Sequence, residues 1–254
     1  MKNTLGLLVC VSCCANFLNT QTADVLAESP LGIGKSVIIR SEVLNEERIL
    51  NIYLPKGHHP NSHQQHPVVY LLDGSADEDF IHVAGLTRFG NFPWVNMPGC
   101  IVVGIANVDR ERDFTFPSTL EKDKKVLPNS GGSGKFIQFL EKELQPFIQE
   151  NYSKSGTTIL VGRSLGGLLA TEVLFKKPEL FANYVILSPS LWWDDHSLLK
   201  QLLKFPPTTK SIYIGVGENE HRIMVRSAKT LSKKVAAQQP EELIGFHRGR
   251  RISQ

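Results

Sequence analysis

Five short runs of apolar residues punctuate the middle of this chain almost without polar interruption: residues 68–72, 100–105, 157–161, 184–187 and 211–216. Runs this short and this continuous predict strands buried on both faces, as in a mostly parallel sheet. Between them the period changes. Over residues 134–152, Phe136, Leu140, Leu144, Phe147 and Ile148 recur at helical spacing, and Pro146 is expected to bend or shorten that helix. Residues 168–177 form a second helical stretch stopped by Pro178. Residues 224–238 form a third, with Met224, Ala228, Leu231 and Val235 on one stripe ahead of Pro240. Upstream, residues 36–44 and 48–55 read as two strands joined by polar Asn45-Glu46-Glu47, hence an antiparallel hairpin.

Alternating strands and helices after a hairpin predict one doubly wound α/β domain over residues 28–254, with helices on both faces of the sheet. In such sheets ligands gather beyond the C-terminal ends of the strands. The segments that follow those ends are polar: residues 73–77, 107–113, 188–195 and 217–220.

Composition changes this picture little. Hydrophobic residues at 41% and charged residues at 21% suit an ordinary globular chain, and a net charge of +3 is too small to call for nucleic acid. The first 27 residues add a targeting reading. Lys2 precedes an apolar segment, residues 5–18, of signal-peptide length, with cleavage expected after Ala23 or Ala27. Export is therefore expected, to the periplasm or outside the cell, with a lipid anchor at Cys13 or Cys14 as a variant and no stable membrane insertion after processing. Removal of Cys10, Cys13 and Cys14 would leave Cys100 as a single buried packing residue. Residues 56–66 carry Gly57, Pro60 and four histidines without apolar periodicity, and read as a solvated surface loop rather than a metal site. No metal or cofactor is expected.

One stretch carries chemistry. Gly162-Arg163-Ser164-Leu165-Gly166 stands between a predicted strand and a predicted helix, the setting in which Gly-x-Ser-x-Gly forms a tight turn that exposes a nucleophilic serine. Side chains at either glycine would collide across that turn. The Leu165 amide, at a helix N-terminus, could donate to an oxyanion, and Gly74 or Ser75, after the 68–72 strand, is the expected second donor. A serine needs a base and often an orienting carboxylate. Glu220, two residues beyond a Gly217 turn after the 211–216 strand, is the candidate acid, ahead of Glu218. His247 is the candidate base, in a segment that looks like the start of a strand, whereas His221 adjoins the acid. Trp192 and Trp193 could wall an acyl or aryl pocket or pack a lid onto the core. Arg110 and Arg112 could meet an anionic substrate group or pair with Asp109 and Asp113. Asp73 could cap its own turn by bonding to backbone.

Taken in order, several segments resemble the putative-esterase branch of the α/β-hydrolases. They include Tyr70-Leu71-Leu72-Asp73-Gly74, the run 103–113, Ser130-Gly131-Gly132, Gly162-Arg163-Ser164-Leu165-Gly166-Gly167, Ser188-Pro189-Ser190-Leu191-Trp192-Trp193 and Gly217-Glu218-Asn219-Glu220. That branch includes the enterobactin and salmochelin trilactone esterases. The resemblance implies an α/β-hydrolase fold and a metal-independent serine esterase acting on a small-molecule ester through an acyl-Ser164 intermediate. Gly74 and Leu165 would lie near the oxyanion hole. It also implies a C-terminal histidine loop and closing helix, which nothing after Leu243 resembles, so the closing strand and helix are expected to be incomplete. Two further readings follow: a pocket-bearing binding protein without a base, or an acyltransferase on the same scaffold.

Overall fold

The computed structural model describes residues 26–29, 31–59, 65–154, 156–203, 206 and 208–238, and the backbone of 244–249. Contacts divide the chain at Leu31. In the first unit, residues 26–29 and Leu31 lie outside any helix or strand, and the rest of the expected targeting segment falls outside the described residues.

The second unit, from Gly32 onward, is built on an eight-stranded sheet. The expected hairpin forms from β1 (Lys35–Ser41) and β2 (Glu46–Tyr53). Then come β3 (Val68–Leu71), β4 (Ile101–Ile105), β5 (Thr158–Arg163), β6 (Asn183–Leu187), β7 (Ser211–Gly217) and β8 (Ile244–Gly249). Their spatial order is β1-β2-β4-β3-β5-β6-β7-β8. β2 runs antiparallel to β4, and every later pairing is parallel. β8 forms where the sequence looked like the start of a strand, and it pairs with β7 from Ile212↔Ile244 to Gly217↔Gly249. The helices among these strands are α1 (Phe80–Gly90), α2 (Arg110–Phe114), α3 (Glu121–Val126), α4 (Ser133–Phe139), α5 (Gln145–Asn151), α6 (Leu165–Lys176), α7 (Ser197–Lys200) and α8 (Arg222–Ala236).

Successive residues of β3 and β4 enter opposite faces, as the pleat requires. Val69, Leu71 and Val102 join Phe80 and Ala84 of α1 in a smaller cluster. Val68, Tyr70, Ile101 and Val103 join the larger core. α6 is buried from Leu165 to Phe175, which is why its apolar residues run all round the helix. α8 shows one buried stripe, Ala228, Leu231 and Val235. Two-sided burial holds for β3 and β4, but β5 and β6 alternate between buried and half-buried residues, so one of their faces is less fully covered.

Around Pro146 the α-helix is broken into two shorter pieces while the chain stays helical. α4 passes into a π-helical turn, Leu140–Leu144, and then α5, with the proline in the first turn of α5. The wider turn accommodates a residue that has no N–H to give and a ring that crowds the preceding carbonyl. The loop after β2 is also less exposed than expected, because His66 is buried.

Charge ties the hairpin to α2. Arg48, fully buried on β2, reaches Asp113 at 2.5 Å and lies over the rings of Phe136 and Phe139. Arg112 completes the cluster, at 2.8 Å from Asp113 and 2.7 Å from Glu46. Removing one member of a buried pair strands the other charge, so Asp113→Ala is expected to cost about 3–5 kcal/mol in denaturant unfolding. A loss below about 1 kcal/mol would show that water already reaches Arg48.

Candidate active site

Ser164 occupies the single residue between β5 and α6, at φ 57° and ψ −115°. A non-glycine residue there costs on the order of 1–3 kcal/mol and persists only where its surroundings hold it. They do so through main-chain bonds. The Ser164 N–H donates to the Leu187 carbonyl, and its carbonyl accepts from Ser190 and Leu168, each at 3.0 Å. Gly162 allows the turn to close, since a Cβ there would lie 2.5 Å from the Gly166 carbonyl carbon. The half-buried serine hydroxyl lies 3.4 Å from the hydroxyl of buried Ser190. Leu165 opens α6, so its N–H has no carbonyl one turn back within the helix.

The turn after β3 approaches from the neighbouring strand. A Cβ on Gly74 would lie 2.5 Å from the Gly104 carbonyl carbon of β4, so only glycine fits. The Gly74 N–H, however, donates to the Ile105 carbonyl at 3.0 Å. It is committed to holding the turn, which leaves Ser75, the other donor considered there, with only a long 3.4 Å contact from its N–H to Glu78.

Asp73 (φ 55°) is almost completely buried, and its carboxylate bonds side chains rather than its own backbone. Arg110 grips it with Nε at 2.6 Å and Nη2 at 2.9 Å, and Asn107 adds a bond at 2.8 Å. That bond to Asp73 holds the Arg110 guanidinium above its ordinary range. Arg110 therefore pairs with Asp73 rather than Asp109. Asp109 instead caps α2, accepting from the Arg112 N–H at 3.0 Å. The Arg112 guanidinium is engaged by Glu46 and Asp113, as described above.

At the end of β6, Ser188 (φ 43°) donates its hydroxyl to Glu220, whose Oε1 also lies 3.3 Å from the Gly217 amide nitrogen. So Asp73, Ser164 and Ser188, which follow three adjacent parallel strands, all have positive φ without being glycine. Sequence reasoning passed over Ser188 and Ser190 as partners. The only sign was the crowding of serines at that strand end.

The tryptophans part company. Trp193 is fully buried and donates Nε1–H to the Phe116 carbonyl at 2.8 Å. Trp192 is half-buried and lines a cleft of about 500 Å³ with Lys122, Val126, His196, His221, Ile223 and Met224. Next to it the chain makes three consecutive left-handed residues, Asp194, Asp195 and His196. Asp194 pins that turn by accepting from the Thr119 N–H and hydroxyl, at 2.8 and 2.7 Å.

The histidines are the least gathered group. His221 caps α8, its Nδ1 accepting from the Ile223 N–H. His247 lies inside β8, in one row with Gly215, Leu187 and Arg163. Three interstrand steps of about 4.8 Å each put it about 14 Å from the Arg163 position, further than an imidazole side chain spans. The structure does not bring His247 to Ser164 from that register.

Comparison with known proteins gives a consistent result. A family model described as putative esterase matches residues 41–247. The chain is 31% identical over 215 residues to the ferri-bacillibactin esterase BesA of Bacillus subtilis (strain 168), covering 76% of this chain and 74% of that one. It is 37% identical over 154 residues to the siderophore enterobactin esterase of Emericella nidulans, covering 54% of this chain and half of the relative. Among solved structures it is similar to the BES protein of Bacillus cereus, with TM-score 0.74 and 25% identity over 91% of this chain and 92% of that one. An IroE-like serine hydrolase from Shewanella oneidensis superposes with TM-score 0.73 and 30% identity, over 87% of this chain and 74% of that one.

Proposed function

This chain belongs to the putative esterase family and is an ester hydrolase; we propose that it works through an acyl-enzyme formed on Ser164. One observation carries the proposal: a serine held at φ 57° between a parallel strand and the first turn of a buried helix. In this reading the Ser164 oxygen attacks the ester carbonyl and its proton passes to a histidine. The alkoxide that develops is held by the Leu165 N–H, with the Ser75 N–H as second donor. The alcohol leaves with that proton, and water then releases the acid from the serine. Glu220, anchored to Ser188 and the Gly217 turn, is the carboxylate to which we give the role of orienting that imidazole. His221 and His247 are the histidines that follow β7 in the chain.

The substrate class we propose is the ester linkage of a siderophore. The support is the names of the relatives, together with the cleft that Trp192, Met224, Ile223 and Val126 line, with Lys122 at hand for an anionic group. Export before action is also proposed, on the strength of the apolar segment 5–18. Among the described residues no helix is long and apolar enough to cross a membrane.

The test is incubation of purified protein with an iron-loaded trilactone siderophore, with products resolved by mass spectrometry. The linear trimer, one water heavier than the trilactone, and its monomeric hydroxy acid, three formed per trilactone with three waters taken up, are the expected products. A second reading, a binding protein that retains the pocket without turnover, is favoured by the position of His247 within β8. Binding with no hydrolysed product would select that reading and reject ours.

A further inference from the structure

The end of the sheet opposite Ser164 holds two histidines that the ester chemistry does not use. His58 follows β2 and His66 precedes β3. Because β2 runs antiparallel to β4, both arrive where β3 and β4 begin. Their ring centroids are 5.5 Å apart, with the planes tilted by 51°.

His66 is 4% exposed, and its Nδ1 lies 2.8 Å from the Gly99 carbonyl oxygen. A carbonyl only accepts, so Nδ1 carries the proton and Nε2 presents a lone pair. That Nε2 is buried without a hydrogen-bond partner, as are both ring nitrogens of His58. Buried polar atoms left without partners are uncommon and costly, and each calls for an explanation.

A metal ion supplies one. An imidazole that binds a metal through one nitrogen commonly donates its other N–H to a backbone carbonyl, which fixes tautomer and ring orientation. His66 already has that arrangement. With Zn–N bonds of about 2.0–2.1 Å, two imidazoles at a tetrahedral angle place their ring centroids about 5 Å apart, close to the spacing seen.

We propose that His58 and His66 form a binding site for a borderline divalent transition-metal ion of the zinc, nickel or copper type. Imidazole ligands suit those ions. Among the described residues no cluster of three or more His, Cys, Asp or Glu forms a metal site, so the proposal rests on these two imidazoles alone. The bound ion would clamp the loop after β2 to the start of β3. It lies at the far end of the parallel strands from Ser164, so it takes no part in ester cleavage and does not depend on that assignment.

The experiment titrates the full chain with Cu²⁺ alone and reads nitrogen couplings by electron paramagnetic resonance, with Zn²⁺ affinity from calorimetry. Two coordinated imidazoles are expected. His58→Gln should weaken binding about tenfold or more and leave one imidazole coupling. Exposed His59 substituted to Gln should change neither. Should His66→Gln fail to fold, half-buried His58 still decides the matter. Absence of binding, or wild-type affinity in His58→Gln, would overturn the proposal.

Discussion

Replacement of Ser164 by alanine is expected to lower kcat/KM toward carboxylic esters by about 10⁴-fold or more. Removing the nucleophile of such a site leaves only what the oxyanion donors and substrate binding supply. Stability should change little. The Ser164 hydroxyl is half-buried and has a single long contact, to Ser190, while the bonds that hold the turn belong to the main chain. Alanine retains all of those, so the melting temperature should stay within about 2–3 °C, corresponding to roughly 0.5 kcal/mol. A large loss of both stability and activity would mean that the hydroxyl serves the fold instead.

The second large effect falls on Gly162. An added methyl group there meets the Gly166 carbonyl and the Gly167 amide, which are backbone atoms with no rotamer to change. The first turn of α6 would have to move away from β5, and α6 is buried from Leu165 to Phe175. Gly162→Ala is therefore expected to destabilise the protein by about 2–4 kcal/mol. Even in the folded fraction, a displacement of the serine by about 1 Å should cost about 10²-fold in rate. Chemical denaturation together with kinetics on the soluble fraction checks both parts. Wild-type behaviour in both would mean the turn is looser than its dihedral angles require.

The outline of the sheet was readable because its central strands are short apolar runs and α8 keeps a clean stripe. The serine turn was readable because two glycines frame it for a steric reason. Much of the rest was not. Nothing local announces that Asp73 pairs with Arg110, 37 positions away, or that Ser188 meets Glu220, 32 positions away. Such bonds are fixed by which strands lie side by side, and strand order appears only on folding. Gly74 shows the same limit. Its spacing after β3 suggested an oxyanion donor, yet tight packing against Gly104 turns its N–H toward Ile105. The positive φ angles of Asp73 and Ser188 were hidden as well, because these residues are Asp and Ser rather than glycine. Trp192 and Trp193 are adjacent and chemically alike, and only burial separates the cleft wall from the core.

The central claim is that the Ser164 oxygen is an activated nucleophile, and covalent trapping tests it most directly. The native protein is treated with a fluorophosphonate, digested and sequenced by mass spectrometry. A single phosphonyl adduct on Ser164, absent from Ser164→Ala and from unfolded protein, is the predicted result. An adduct elsewhere, or none on the folded chain, would contradict it.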